Sequence, residues 1–150
     1  MQKVRFVDLF AGIGGIRKGF EIAFNKFGFK TECVMTSEIK PHACTVLKAN
    51  HPDEEVRGDV TKIDTGSIPD FDILLGGFPC QAFSYAGRRL GFDDTRGTLF
   101  FEIERILKEK RPFGFILENV EGLVTHDREN AGHPIGKTLS VILGNLDAIG

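Results

Sequence analysis

Apolar and polar positions change period several times along this chain. Residues 4–9 form a short apolar run with β-branched side chains, which predicts a strand. It leads into the glycine-rich stretch AGIGG at 11–15. Ile16, Phe20, Ala23, Phe24 and Phe27 then recur at the spacing of a helix face, and Gly28 can close that helix. Residues 32–36 read as a second strand that ends at Ser37-Glu38. Pro41 suits the first turn of the next helix, whose apolar face is Ala43, Cys44, Val46 and Leu47. A weak third strand over 54–60 ends at Gly58-Asp59, and a fourth covers 71–75. A loop rich in Gly, Arg and Asp follows from 76 to about 96. Leu99, Phe100, Ile103, Ile106 and Leu107 mark one face of a strong helix. Residues 113–117 predict a fifth strand ending at Glu118-Asn119-Val120. After a polar stretch at 125–136, a last helix over about 137–148 carries Leu139, Ile142, Leu143 and Leu146. Strands alternating with helices predict an α/β fold, a mostly parallel sheet flanked by helices on both faces. A helix closing on Gly150 normally feeds another strand, so the fold is expected to be incomplete at the C-terminus.

Bulk properties narrow the classes. A chain of 150 residues, 41% apolar and 27% charged, is expected to form one soluble domain over 1–150. A formal net charge of −2 excludes general electrostatic attraction to nucleic acid, so any anionic partner needs a local patch. No stretch reaches the ~18 apolar residues of a membrane span, and the opening MQKVRFVDLF does not read as a secretory leader. The cysteines, Cys33, Cys44 and Cys80, are odd in number and lack C-x-x-C spacing. That argues against a disulfide framework or a zinc site and makes a cytoplasmic location the expectation.

The unusual residues fall at strand ends. In open α/β sheets, ligands bind outside the carboxyl ends of the strands. The five expected strands end in Asp8 with the glycine run, Glu38, Asp59, Pro79-Cys80 and Glu118. Gly12 and Gly14 allow close backbone approach at a helix N-terminus. A dinucleotide fingerprint needs a third glycine at position 17, where Arg17 stands, so a pyrophosphate is not the favoured ligand. Glu38 suits the two hydroxyls of a ribose, or simply the dipole of the next helix. Asp59 suits the exocyclic amine of a purine, or the cap of a turn. Taken together, these residues suggest a nucleoside-bearing cofactor without a diphosphate.

The stretch GGFPCQAFS at 76–84 presents a thiol at the same rim. Packing explains Cys44 on a helix face and Cys33 within a strand. Cys80 instead sits on a loop, after a proline that fixes the backbone direction. A thiolate adds to carbon 6 of a pyrimidine when nitrogen 3 is protonated or strongly hydrogen-bonded, and a buried carboxyl can supply that proton. Glu118 meets the need if the fourth and fifth strands are neighbours. Addition makes carbon 5 nucleophilic, ready for a methyl group from a sulfonium donor.

The stretches DLFAGIGG (8–15), SEI (37–39), GDV (58–60), GGFPCQAFS (76–84), RGTLFFEIERIL (96–107) and ENV (118–120) resemble the C5-cytosine-specific DNA methyltransferases of the bacterial modification type. The resemblance covers most of the chain and follows family order. It implies a Rossmann-like methyltransferase fold and S-adenosylmethionine as donor. Phe10, Gly12, Gly14, Glu38, Asp59, Pro79 and Leu99 match family positions around that cofactor. The resemblance also implies Cys80 as covalent nucleophile, Glu118 at cytosine nitrogen 3, and double-stranded DNA with a flipped cytosine as partner. Arg88 and Arg89 are then expected at DNA phosphates, with solvated loop charges as the plain alternative.

Family members continue further, with a region that grips the flipped base and one that recognises the target sequence. Neither lies within these residues. The chain is therefore expected to be the N-terminal catalytic portion, inactive by itself. A different reading makes it a cofactor-binding subunit completed by a second chain. A nicotinamide-dependent dehydrogenase is disfavoured by Arg17 and the F-P-C-Q loop. An RNA substrate stays open, because no recognition region is present.

Overall fold

The computed structural model describes residues 2–79, 98–128 and 132–150. The chain divides into two compact units, Met1–Gly77 with Glu109–Glu118, and Phe78–Lys108 with Asn119–Gly150.

The first unit holds a five-stranded parallel sheet of β1 (Lys3–Leu9), β2 (Lys30–Ser37), β3 (Val56–Arg57), β4 (Ile73–Gly76) and β5 (Gly114–Leu117). Their order is β3-β2-β1-β4-β5. Helices α1 (Gly15–Lys26) and α2 (Pro41–Asn50) make the first two crossovers. The chain then passes from the β3 edge to the far side of β1, so the strand order reverses between β1 and β4. That is the switch point where such sheets open a ligand crevice. The adjacency of the fourth and fifth strands, on which the Cys80 and Glu118 reading depends, is present.

Phe6, Phe20 and Leu75 form a core packed by Val4, Ile16, Phe24, Cys33 and Ile73. The rings of Phe6 and Phe20 lie 4.9 Å apart. Val7, Leu9 and Leu74 are fully buried as well. The apolar face of α1 is rotated from the expected one. Phe27 and Ala23 are exposed, while Arg17 is buried between Ile16 and Phe20. Its charge is neutralised on the spot, which lets the stripe accept it.

The third strand is shorter than expected, only Val56–Arg57. Two short 3-10 turns, Val60–Lys62 and Thr65–Ser67, follow it. Asp59 and Asp64 accept hydrogen bonds from the backbone N–H of Thr61 and Gly66, which diverts this segment from the ladder. The fifth strand starts at Gly114, and Phe113 before it is 95% exposed. Phe115 and Ile116 are also exposed on this edge strand.

The second unit holds most of α3 (Thr98–Lys110), together with α4 (Gly122–Thr125) and α5 (Lys137–Asp147). Phe100, Ile103, Ile106 and Leu107 are buried, as their helical period predicts. The rings of Phe78 and Phe100 lie 5.8 Å apart. Gly136 is buried against the backbone of His126, where a side chain would strike the carbonyl. On α5 Ile142 is buried, whereas Leu143 turns outward.

Candidate functional site

The carboxyl ends of β1, β2 and β3 are bonded to one another. Ala11 N–H donates to the Ser37 carbonyl at 3.1 Å, and Glu38 N–H to the Arg57 carbonyl at 3.1 Å. Ser37 Oγ donates to the Gly58 carbonyl at 2.7 Å. The turn after β1 contains three left-handed residues, Phe10 (φ 55°), Gly12 (φ 55°) and Gly14 (φ 88°). Glycine adopts that conformation freely, but phenylalanine does so at a cost, and such strain concentrates at functional sites. Gly14 is the N-cap of α1 and brings no side-chain cap, so the first N–H groups of the helix point to a ligand or to water.

Glu38 is 7% exposed and braces this turn. Its Oε2 accepts from Gly12 N–H at 2.7 Å. Its Oε1 accepts from Ile39 and Lys40 N–H, each at 2.8 Å. A carboxylate offers about four acceptor directions, so one remains for a ligand. The sequence reading considered a ribose or a helix dipole; the structure adds the bond to the glycine turn. Asp59 caps the following turn through Thr61 N–H and Oγ, and these bonds lower its carboxyl pKa. Its capping role, one of the two considered, is present.

Two residues with no assigned role lie beneath the turn. Asp8 is 1% exposed, and neither of its carboxylate oxygens has a hydrogen-bond partner. Burial pushes its carboxyl up to about 7; nearby Arg17 pulls it down, and Glu21 and Glu38 push it further up. Arg17 is 3% exposed and spends its guanidinium elsewhere. It grips Glu54 with two bonds of 2.6 and 2.7 Å and Glu21 with one of 2.9 Å, above the Phe6 ring. The sequence signals were a carboxylate at the end of an apolar strand and an arginine inside an apolar helix stripe.

The ends of β4 and β5 are also joined, since Glu118 N–H donates to the Gly76 carbonyl at 2.9 Å. A side-chain carbon at Gly77 would lie 3.2 Å from Ile16 Cδ1 and 3.4 Å from Glu118 Oε2, so glycine leaves room for that carboxylate. Glu118 is exposed, which corrects the burial expected of it: β5 is an edge strand and no described segment covers its end. In the second unit, Asn119 Nδ2 donates to the Phe78 carbonyl at 2.9 Å and its Oδ1 accepts from Val120 N–H at 2.9 Å. Asn119 thus fixes the backbone that leads into Pro79, a role the sequence did not disclose. Pro79 is exposed and Leu99 half-buried; both belong to this second unit. Cys80, Arg88 and Arg89 lie outside the described residues. Cys44 donates from Sγ to the Glu38 carbonyl at 3.3 Å, and Cys33 is half-buried, both consistent with packing roles.

A cavity of about 210 Å³ is lined by Cys33, Thr36, Glu54 and Arg57 among others. No residue of the rim lines it, so it is not the crevice described above. Among the described residues, no helix is long and apolar enough to cross a membrane.

Residues 4–150 match the family model for C-5 cytosine-specific DNA methylases. The chain is 67% identical over 150 residues to the type II methyltransferase M.NgoBV of Neisseria gonorrhoeae, covering all of this chain and 36% of that protein. Against M.NlaIV of Neisseria lactamica the identity is again 67%, over the same shares. The chain therefore spans about a third of the length of these curated relatives. The crystal structure of the Dnmt2 methyltransferase of S. pombe superposes with a TM-score of 0.69 at 21% identity, covering 97% of this chain and 42% of that one. The fold is accordingly the Rossmann-like one of methyltransferases, represented in part.

Proposed function

The chain belongs to the family of C-5 cytosine-specific DNA methylases, and on that premise we propose that it is the N-terminal catalytic and cofactor-binding portion of a type II modification enzyme. Its reaction is methyl transfer from S-adenosylmethionine to carbon 5 of cytosine in DNA. The observation that carries this reading is the rim at the switch point, where a strained glycine turn, braced by Glu38, faces free helix N–H groups above an unpartnered carboxylate. Those features fit a ligand with a ribose and a positive charge but no pyrophosphate. Phe10, Gly12, Gly14, Glu38 and Asp59 would hold its nucleoside end. When bound, the cofactor supplies an electrophilic methyl group.

The remaining chemistry belongs to the chain and the base. The Cys80 thiolate adds to carbon 6 of a flipped cytosine while Glu118 holds a proton at nitrogen 3. Carbon 5 then takes the methyl group, loses its own proton to a base, and expels the thiolate. Arg88 and Arg89 meet backbone phosphates. In a complete or complemented enzyme, Cys80→Ser should abolish methyl transfer and Cys44→Ser should not. DNA containing 5-fluorocytosine should trap a covalent adduct on Cys80, because fluorine cannot leave as the proton does. An adduct mapped to another residue would refute the assignment.

A second reading is favoured by the exposed apolar β5 edge together with the one-third coverage of the relatives. In it, a second chain completes the sheet and supplies DNA binding. Residues 1–150 alone should then transfer no label to DNA, and adding a separately expressed C-terminal part should restore transfer. Label transferred by the chain alone, and lost in Cys80→Ser, would overturn it.

A further inference from the structure

Asp8 remains unused by the reaction above. Its carboxylate is buried with no hydrogen-bond partner, and an ionised carboxylate so placed costs several kcal/mol unless a cation answers it. From α1, Arg17 and Glu21 face it, from β2 Cys33, and from just beyond β2 Glu38, with Glu54 behind Arg17. The register places Leu75 of β4 beside it, so that strand offers no charge. Burial pushes the Cys33 thiol up to about 11, so it is neutral. Among the described groups just named, one guanidinium faces four carboxylates and is already bonded to Glu54 and Glu21, with His51 Nδ1 3.9 Å from Glu54 on its far side. The cluster lacks a positive charge. Asp8 lies two residues before Phe10, at the root of the turn through which the donor would enter.

We infer that Asp8 is the specificity-determining counter-charge of the cofactor site: partly protonated in the free chain, it gives up that proton when a cationic ligand occupies the turn. The inference rests on the proposed cofactor. S-adenosylmethionine carries a sulfonium charge that its product, S-adenosylhomocysteine, lacks. The donor is thus taken up in exchange for a proton, which leaves the Asp8 carboxyl for the buffer, and the product is taken up without exchange. This exchange lets the chain discriminate the charged donor from the neutral product. A carboxyl that titrates at about 7 can make the exchange near neutral pH.

Isothermal titration of the chain with each ligand, in buffers of different ionisation enthalpy, reads the released protons directly. At pH 7 roughly half a proton should leave per donor bound and none per product. Below neutrality donor affinity should fall by up to roughly tenfold for each pH unit lowered, while product affinity stays flat. Asp8→Asn keeps the shape without the proton. It should bind the product within about threefold of the parent and lose both proton release and the pH dependence of donor binding. Proton release surviving in that variant would overturn the inference. So would equal pH profiles for the two ligands in the parent chain, a comparison that needs no variant. Binding of both without proton exchange removes this inference alone; binding of neither removes the cofactor reading with it.

Discussion

On one side of the sheet, Glu38, Ser37 and Arg17 tie three chain segments together through short polar bonds. On the other side, β5 ends the sheet with Phe113, Phe115 and Ile116 exposed to solvent. The bonds of the first side all connect residues within the first sixty of the chain. The second side has an apolar edge with nothing described on it, the condition that natural sheets avoid by covering or charging their edges. Polar bonding is thus dense on the first side, and the described sheet ends in an exposed apolar edge at β5.

The largest expected effect comes from Asp8, the buried side chain on the closed side that lacks a hydrogen-bond partner among the described residues. Asp8 titrates at about 7 when folded, against an ordinary 3.8. Below about pH 4 both states are protonated and the group costs nothing; its penalty grows as pH rises and is complete above 7. The difference corresponds to roughly 4 kcal/mol. Urea melts should therefore find Asp8→Asn equal to the parent at pH 4 and more stable by about that amount at pH 8. A pH-independent difference would mean that Asp8 does not titrate in this range.

Removing Arg17 tests the same side in the opposite direction. Arg17→Met leaves Glu54 and Glu21 beside Asp8 with no cation, and should destabilise the fold by roughly 3 kcal/mol. Lysine at that position cannot reproduce the two-bond grip on Glu54, so it should recover only part of the loss.

Glu38→Ala orphans three backbone N–H groups and should cost roughly 2 kcal/mol. It should also weaken cofactor binding, which separates it from a purely structural brace. The smallest effect on stability belongs to the open side. Phe115→Lys should change unfolding free energy by less than about 0.5 kcal/mol, yet reduce self-association in sedimentation velocity and block complementation by a C-terminal part. A large loss of stability there would show that the edge is covered within the chain itself.

Much of this was legible before the structure. The alternation of periods marks all five strands, and the glycine turn, Glu38 and Asp59 sit at strand ends as the α/β rule requires. The lengths of β3 and the facing of α1 were not. Asp59 and Asp64 reroute the backbone with their own side chains, and a two-residue strand leaves no period to read. Phe27 looked like core because it keeps helical spacing, but the stripe is rotated to take in Arg17.

The sequence alone determines the class of fold and the residue types along the rim, because turn glycines, strand ends and a thiol after proline are local features with local physical causes. The tertiary structure decides charge. Whether a carboxylate accepts three N–H groups, as Glu38 does, or none, as Asp8 does, depends in part on distant segments: the N–H of Gly12 reaches Glu38 from 26 residues away. Burial and partners set the cost of an ionised group, and neither is written in its neighbours along the chain.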